Sequence, residues 1–96
     1  LQEAGCFSVV LEAIPEPIAT QVTQNLAIPT IGIGAGPYTD GQVLVLQDML
    51  GLNTDFKPKF VRHFSPGAEV FTQGIQEFIN SVNDGSFPNE EEFYQK

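Results

Sequence analysis

Ninety-six residues are enough for one small domain with one modest core, and too few for a second. Twelve acidic side chains against four basic ones set the net charge at −8, which repels phosphate backbones and anionic bilayers and argues against nucleic acid or a membrane surface as partner. No apolar run approaches a membrane span of about 20 residues, no signal-peptide pattern is present, and Cys6, the single cysteine, excludes an internal disulfide, so a soluble, reducing, cytoplasmic compartment is expected.

Leu1 to Cys6 reads as the end of a helix, with Gly5 as its C-terminal cap. There is no initiator Met, and the opening residues look like the inside of a helix, so the chain is read as a piece of something longer. Phe7 to Glu12 (FSVVLE) follows as the first strand, expected near 7–12. Side chains alternate across a strand, which puts Phe7, Val9 and Leu11 on a bulky face suited to helix packing and Ser8, Val10 and Glu12 on the other.

Pro15, Glu16 and Pro17 end that strand and open a helix near 16–26, because proline is tolerated in a first helical turn and an acid there suits the helix dipole. Ile18, Val22 and Leu26 form its apolar stripe. Pro29 stops it, and a second strand is expected near 29–34, with Ile31 and Ile33 on one face and Thr30, Gly32 and Gly34 on the other. Glycine weakens a strand, so two on one face imply the close approach of something else. Turn residues Tyr38 to Gly41 lead to a third strand near 42–47. A strand, a helix and a strand at this spacing make a parallel pair with a right-handed crossover.

After Gly51 a short helix is expected near 57–64 (KPKFVRHF), which carries every basic residue except Lys96. A longer one is expected near 66–83. It starts at Ser65-Pro66, stops at Asn83-Asp84-Gly85, and has Phe71, Ile75, Phe78, Ile79 and Val82 spaced as one buried face. The tail, 86–96, reads as surface. Parallel strands with one bulky face place the chain in the α/β class. Three of them in an open sheet leave unpaired backbone groups at both edges, so further strands are expected from elsewhere, barrel closure being one way to supply them.

Glu12 is the leading candidate for chemistry. It ends a strand on the face away from the bulky side chains, and the carboxyl ends of parallel strands carry the active sites of α/β enzymes. A carboxylate partly shielded there would have a raised pKa and serve as a general base; the competing reading is a solvated loop acid. The run Gly32-Ile33-Gly34-Ala35-Gly36 resembles a dinucleotide fingerprint only in part, because Pro37 stands where the last glycine belongs. It is either turn geometry or a place where a ligand approaches the backbone, a phosphate included. Asp40, Asp48 and Asp55 fall in separate turns that match no compact ion-binding loop. His63 reads as a surface residue on the short helix and Cys6 as a small buried one.

VLEAIP, IPTIGIGAGPYTDGQVLVLQDMLGL, FKPKFV and FPNEEEF together resemble the ketopantoate hydroxymethyltransferase family, over nearly the whole chain but only the C-terminal part of that enzyme. The resemblance implies that residues 1–96 are a partial barrel domain, about three parallel strands and closing helices of a (β/α)8 barrel. It implies transfer of a hydroxymethyl group from 5,10-methylenetetrahydrofolate to 3-methyl-2-oxobutanoate, giving ketopantoate for pantothenate and coenzyme A synthesis, in a homo-oligomer acting on a small keto acid and a folate. It further implies a magnesium ion whose ligands lie outside this chain, with Glu12 as the base that removes the C3 proton. If Glu12 faces a barrel interior, Gly32 and Gly34 would line the same interior and leave room for substrate. Gln47, where members usually carry histidine, and the ending EEEFYQK depart from the family pattern. The chain alone is expected to be inactive. The alternatives are a non-catalytic assembly piece and a phosphate-binding barrel half.

Overall fold

The computed structural model describes all 96 residues. Its elements are β1 (Val9–Glu12), α1 (Glu16–Asn25), β2 (Thr30–Ile33), β3 (Gly41–Gln42), α2 (Leu46–Met49) and α3 (Gly67–Asp84). The three strands form one open sheet in the order β1-β2-β3, and both pairings are parallel. The α/β class and the β1-α1-β2 crossover agree with the sequence reading. No helix is long and apolar enough to cross a membrane.

Three expectations require correction. The third strand is two residues long, not six. Val43 still donates to the Gly32 carbonyl at 3.0 Å, but β3 is an edge strand. The Val43–Leu46 run therefore has no second neighbour on which its β-branched side chains could pack, and strand preference is mostly a preference for such packing. The chain turns instead into α2, where Asp48 and Met49 donate to the Val45 carbonyl.

Residues 57–64 are not helical. Pro58 offers no amide and biases Lys57 away from helical backbone. One turn forms, Val61 donating to Pro58 at 3.0 Å, before Phe64 donates to the Met49 carbonyl at 2.7 Å. The segment is thereby held across the end of α2.

The apolar face of α3 is not buried. Ile75 is 62% exposed, and Phe71, Phe78, Ile79 and Val82 are exposed with it. The helix leaves the sheet rather than folding back over it. The radius of gyration is 22.0 Å, where a compact chain of this length has about 12–13 Å. The accessible surface is 7605 Å², against about 5,400 Å² for a compact monomer of this mass.

The start of α3 is secured by the chain that crosses it rather than by a side chain. Ser65 supplies no capping bond; Gly67 and Ala68 donate to the carbonyls of Leu50 and Gly51 at 2.8 and 3.0 Å. The first amides of a helix lack partners within it, and this crossing satisfies two of them. The crossing needs glycine on both sides, since a Cβ on Gly51 would be driven into the Ser65 carbonyl and one on Gly67 into the Leu50 carbonyl.

At the other end Gly85 closes the helix with φ 82°, as expected. Beyond it the Ser86 hydroxyl and amide hold the Asp84 carboxyl below its ordinary 3.8, the amide donating at 2.8 Å. A lowered folded pKa means that this contact stabilises above the unfolded value and is lost as pH falls through the folded one. Ser86→Ala is expected to return the Asp84 titration toward 3.8, read by NMR. An unchanged midpoint would remove the Ser86 hydroxyl as the leading cause.

Candidate active site

Register decides what faces what. Val9, Val10, Leu11 and Glu12 pair with Thr30, Ile31, Gly32 and Ile33 in that order, and paired residues of neighbouring strands project to the same side of a sheet. One face therefore carries Val9, Leu11, Thr30 and Gly32, and the other carries Val10, Glu12, Ile31 and Ile33.

Helix α1 covers the first face. Thr30 is fully buried there, with its Oγ1 2.8 Å from Thr23 Oγ1 of α1, and Ala19 is buried beside it. The second face is open along β1, where Val10 is 59% exposed and Glu12 is exposed. Glu12 thus stands at the carboxyl end of its strand, on the face opposite the helix.

The expectation that Gly32 lines the same space as Glu12 is corrected by this register. Gly32 lies on the helix side, and a Cβ there would meet Thr39 Oγ1 at 2.7 Å. Its missing side chain makes room for Thr39, whose hydroxyl donates to the Gly41 carbonyl at 2.8 Å. Glu12 is also not shielded within this chain.

Gly34 follows β2 with φ 68°, and Phe60 occupies the place of its side chain, 2.9 Å from where a Cβ would stand. Gly34 lines three clefts, and the two larger ones meet at this turn. One, of 590 Å³, is lined by Ala13, Ile14, Glu16, Gly34, Lys59 and Phe60 among others. The other, of 480 Å³, is lined by Gly34, Gly36, Pro37, Gln42, Phe60 and Arg62. Both open at the carboxyl ends of β1 and β2, just beyond Glu12.

Ala13, the residue after Glu12, has φ 53°, a left-handed conformation that costs a non-glycine residue about 1–2 kcal/mol. Its amide donates to the Ile33 carbonyl at 2.9 Å, extending the ladder by one bond as the chain turns away. Nothing in VLEAIP signalled this strain. Lys59, Phe60 and Arg62 were visible only as a basic run; the signal that could have placed them is the rarity of basic residues in so acidic a chain.

The other candidates fall elsewhere. Asp40 lies at the amino ends of β2 and β3, the end opposite Glu12. Its Oδ2 accepts the Thr30 amide at 2.8 Å and the Thr30 hydroxyl at 3.2 Å, while its own amide donates to Thr30 Oγ1 at 3.2 Å. This network ties β2, β3 and α1 together, and Asp40 is structural. Asp40→Ala is expected to lower stability by about 1–3 kcal/mol, the penalty for stranding buried partners, measured by urea unfolding. A loss below about 0.5 kcal/mol, the range of ordinary surface substitutions, would contradict the assignment.

Asp48 accepts from the Asn53 amide group at 3.3 Å, and Asp55 donates its backbone amide to Asn53. No three His, Cys, Asp or Glu side chains gather as a metal site. His63 lines another groove with Gly51, Thr54, Ser65 and Glu69, which shares only Phe64 with a 310 Å³ cleft at Gly34. Cys6 is exposed rather than buried.

A parallel sheet with a carboxylate and a glycine-walled cleft at the carboxyl ends of its strands is the arrangement of small-molecule enzymes of the α/β class. The chain belongs to the ketopantoate hydroxymethyltransferase family, whose sequence profile matches residues 1–90. It is 55% identical over 94 residues to the 3-methyl-2-oxobutanoate hydroxymethyltransferase of Francisella tularensis (strain SCHU S4 / Schu 4), covering 98% of this chain and 36% of that protein. It is 56% identical to the enzyme of that name from Salinibacter ruber, with the same coverage, and 52% identical to that of Chlorobaculum tepidum, covering 34% of it. The chain thus spans about a third of the length of these relatives.

Proposed function

We propose that this chain supplies the general base, and one wall of the active site, of an enzyme that transfers a hydroxymethyl group from 5,10-methylenetetrahydrofolate to 3-methyl-2-oxobutanoate, giving ketopantoate for pantothenate synthesis. The observation that carries the reading is the position of Glu12, at the carboxyl end of β1 on the face away from α1. In a (β/α)8 barrel the helices lie outside, so the face without a helix is the interior, and active sites sit at the carboxyl ends of the strands. Family membership supports the reaction class.

On this reading Glu12 removes the proton from C3 of the keto acid. The electron pair left on carbon is delocalised into the neighbouring ketone, and C3 then bonds to the methylene carbon of the donor; both C–N bonds of that carbon break, water supplies the hydroxyl oxygen, and tetrahydrofolate leaves with its two nitrogens protonated. Glu12 holds the abstracted proton on its carboxyl oxygen. Magnesium, which the family resemblance implies, finds no donor set among these residues. Its ligands are assigned to the part of the relatives' length that has no counterpart here, and no step is routed through it.

The test is exchange of the C3 proton of 3-methyl-2-oxobutanoate with deuterated solvent, catalysed by an enzyme of family length carrying this sequence. Exchange without the folate donor is expected, because proton removal precedes transfer. Exchange that depends wholly on the donor would contradict a separate base step.

A further inference from the structure

We propose that the Arg62 side of the glycine turn is an anion subsite that takes the carboxylate end of the one-carbon donor; this deepens the functional reading above and rests on it for the donor's identity. The first observation is where the positive charge lies. Three of the four basic residues of a chain with net charge −8, Lys57, Lys59 and Arg62, fall in the one segment folded against the turn that follows β2. Arg62 lines the 480 Å³ cleft, and no acidic residue lines it with Arg62. Across the Phe60 ring Lys59 lines the neighbouring cleft. The one acid there, Glu16, accepts the Thr20 hydroxyl at 2.9 Å.

The backbone adds a second, independent observation. Gly34 and Gly36 both have positive φ, 68° and 83°, and both line the cleft. The amides of Ala35, only 2% exposed, and of Gly36 donate to no acceptor within the chain. A shielded amide without an acceptor is costly. The neighbouring acceptor is already engaged, because the Gly36 carbonyl takes Gln42 Nε2 at 2.8 Å. Of the two residues Gly36 lines the cleft with Arg62, whose guanidinium carbon stands 5.4 Å over the Phe64 ring, and a free backbone amide and a cation opening on one cleft can together hold a carboxylate or phosphate oxygen.

Phe60 shapes the rest. Its ring lies over the Gly34 backbone and forms a flat apolar wall between the two cations. A ligand that fits has an aromatic body and carboxylates at one end, which describes the aminobenzoyl-glutamyl end of a folate. The carboxylate of the keto acid and inorganic phosphate share the anion chemistry but lack the ring.

The 96-residue chain is titrated with 4-aminobenzoyl-glutamate, 3-methyl-2-oxobutanoate and inorganic phosphate while the Ala35 and Gly36 amide resonances are followed. 4-Aminobenzoyl-glutamate is expected to move both amides and to bind tightest. Arg62→Gln is expected to weaken it about tenfold, the worth of one charge-assisted hydrogen bond, and Arg62→Lys by less. Arg62 is exposed, so neither variant threatens the fold.

Glu12→Gln should leave this binding unchanged, so loss of the base and loss of the subsite are read separately. No movement of either amide with any of the three, or an Arg62→Gln chain that binds as the wild type does, overturns the subsite. Tighter binding of the keto acid or of phosphate than of 4-aminobenzoyl-glutamate overturns its assignment to the donor.

Discussion

Glu12→Gln in an enzyme of family length carrying this sequence is expected to slow C3 proton exchange from 3-methyl-2-oxobutanoate by at least about 100-fold, the lower end of what a positioned general base contributes. The amide keeps the size and the reach of the carboxylate but cannot accept the proton. Binding of the keto acid should be largely kept, so the loss belongs in kcat rather than KM. Stability should hardly change, because Glu12 is exposed at a strand end and exposed substitutions stay within about 0.5 kcal/mol. Glu12→Asp retains a base but withdraws it by one methylene, and an intermediate rate is expected, since catalysis falls steeply when a group is displaced by about 1 Å. Exchange in the glutamine variant within about twofold of wild type would remove Glu12 from the role and leave the open face of β1 without a chemical purpose.

Gly34→Val carries the second large effect. The backbone at Gly34 has φ 68°, which a β-branched residue adopts only under strain. The new Cβ would also stand 2.9 Å from Phe60 Cδ1 and 3.1 Å from Cγ, so the ring must move or the turn must open. Left-handed strain and overpacking together are expected to cost about 2–5 kcal/mol. Whether the ring or the turn yields, the clefts beside them should change shape as well. Combining Gly34→Ala with Phe60→Ala separates the two causes. If steric contact dominates, the double variant is more stable than the sum of the single losses implies; if backbone strain dominates, the losses add. Strict additivity would mean that contact with Phe60 contributes nothing to the loss at Gly34.

Much of the molecule was legible because the relevant physics is local. Pro15 and Pro17 start α1 and Gly85 stops α3 by restricting or freeing their own backbone, which needs no distant partner. The alternation sorted Val9–Glu12 and Thr30–Ile33 into two faces, and both assignments hold within those residues; Phe7, expected on the packed face, lies outside β1 and is exposed. Placing Glu12 at a strand's carboxyl end required nothing more than knowing where the strand stops.

What could not be read were the choices made by partners far away in the chain. Alternation says which residues share a face within one strand but not which face of the next strand lies beside it. The pairing of Glu12 with Ile33 rather than Gly32 moved Gly32 to the helix side, as a one-residue change of register always does. The apolar run at Val43–Leu46 had the composition of a strand but no neighbour on its outer side, and the stripe on α3 had the spacing of a buried face but nothing of this chain to cover it. The sequence by itself determined where elements begin, where they stop and that a carboxylate ends the first strand, because those depend on a residue and its nearest neighbours. Only the tertiary structure decided the face that carboxylate shares, the seat of Phe60 on Gly34 and the exposure of α3, because each depends on which distant segments come into contact.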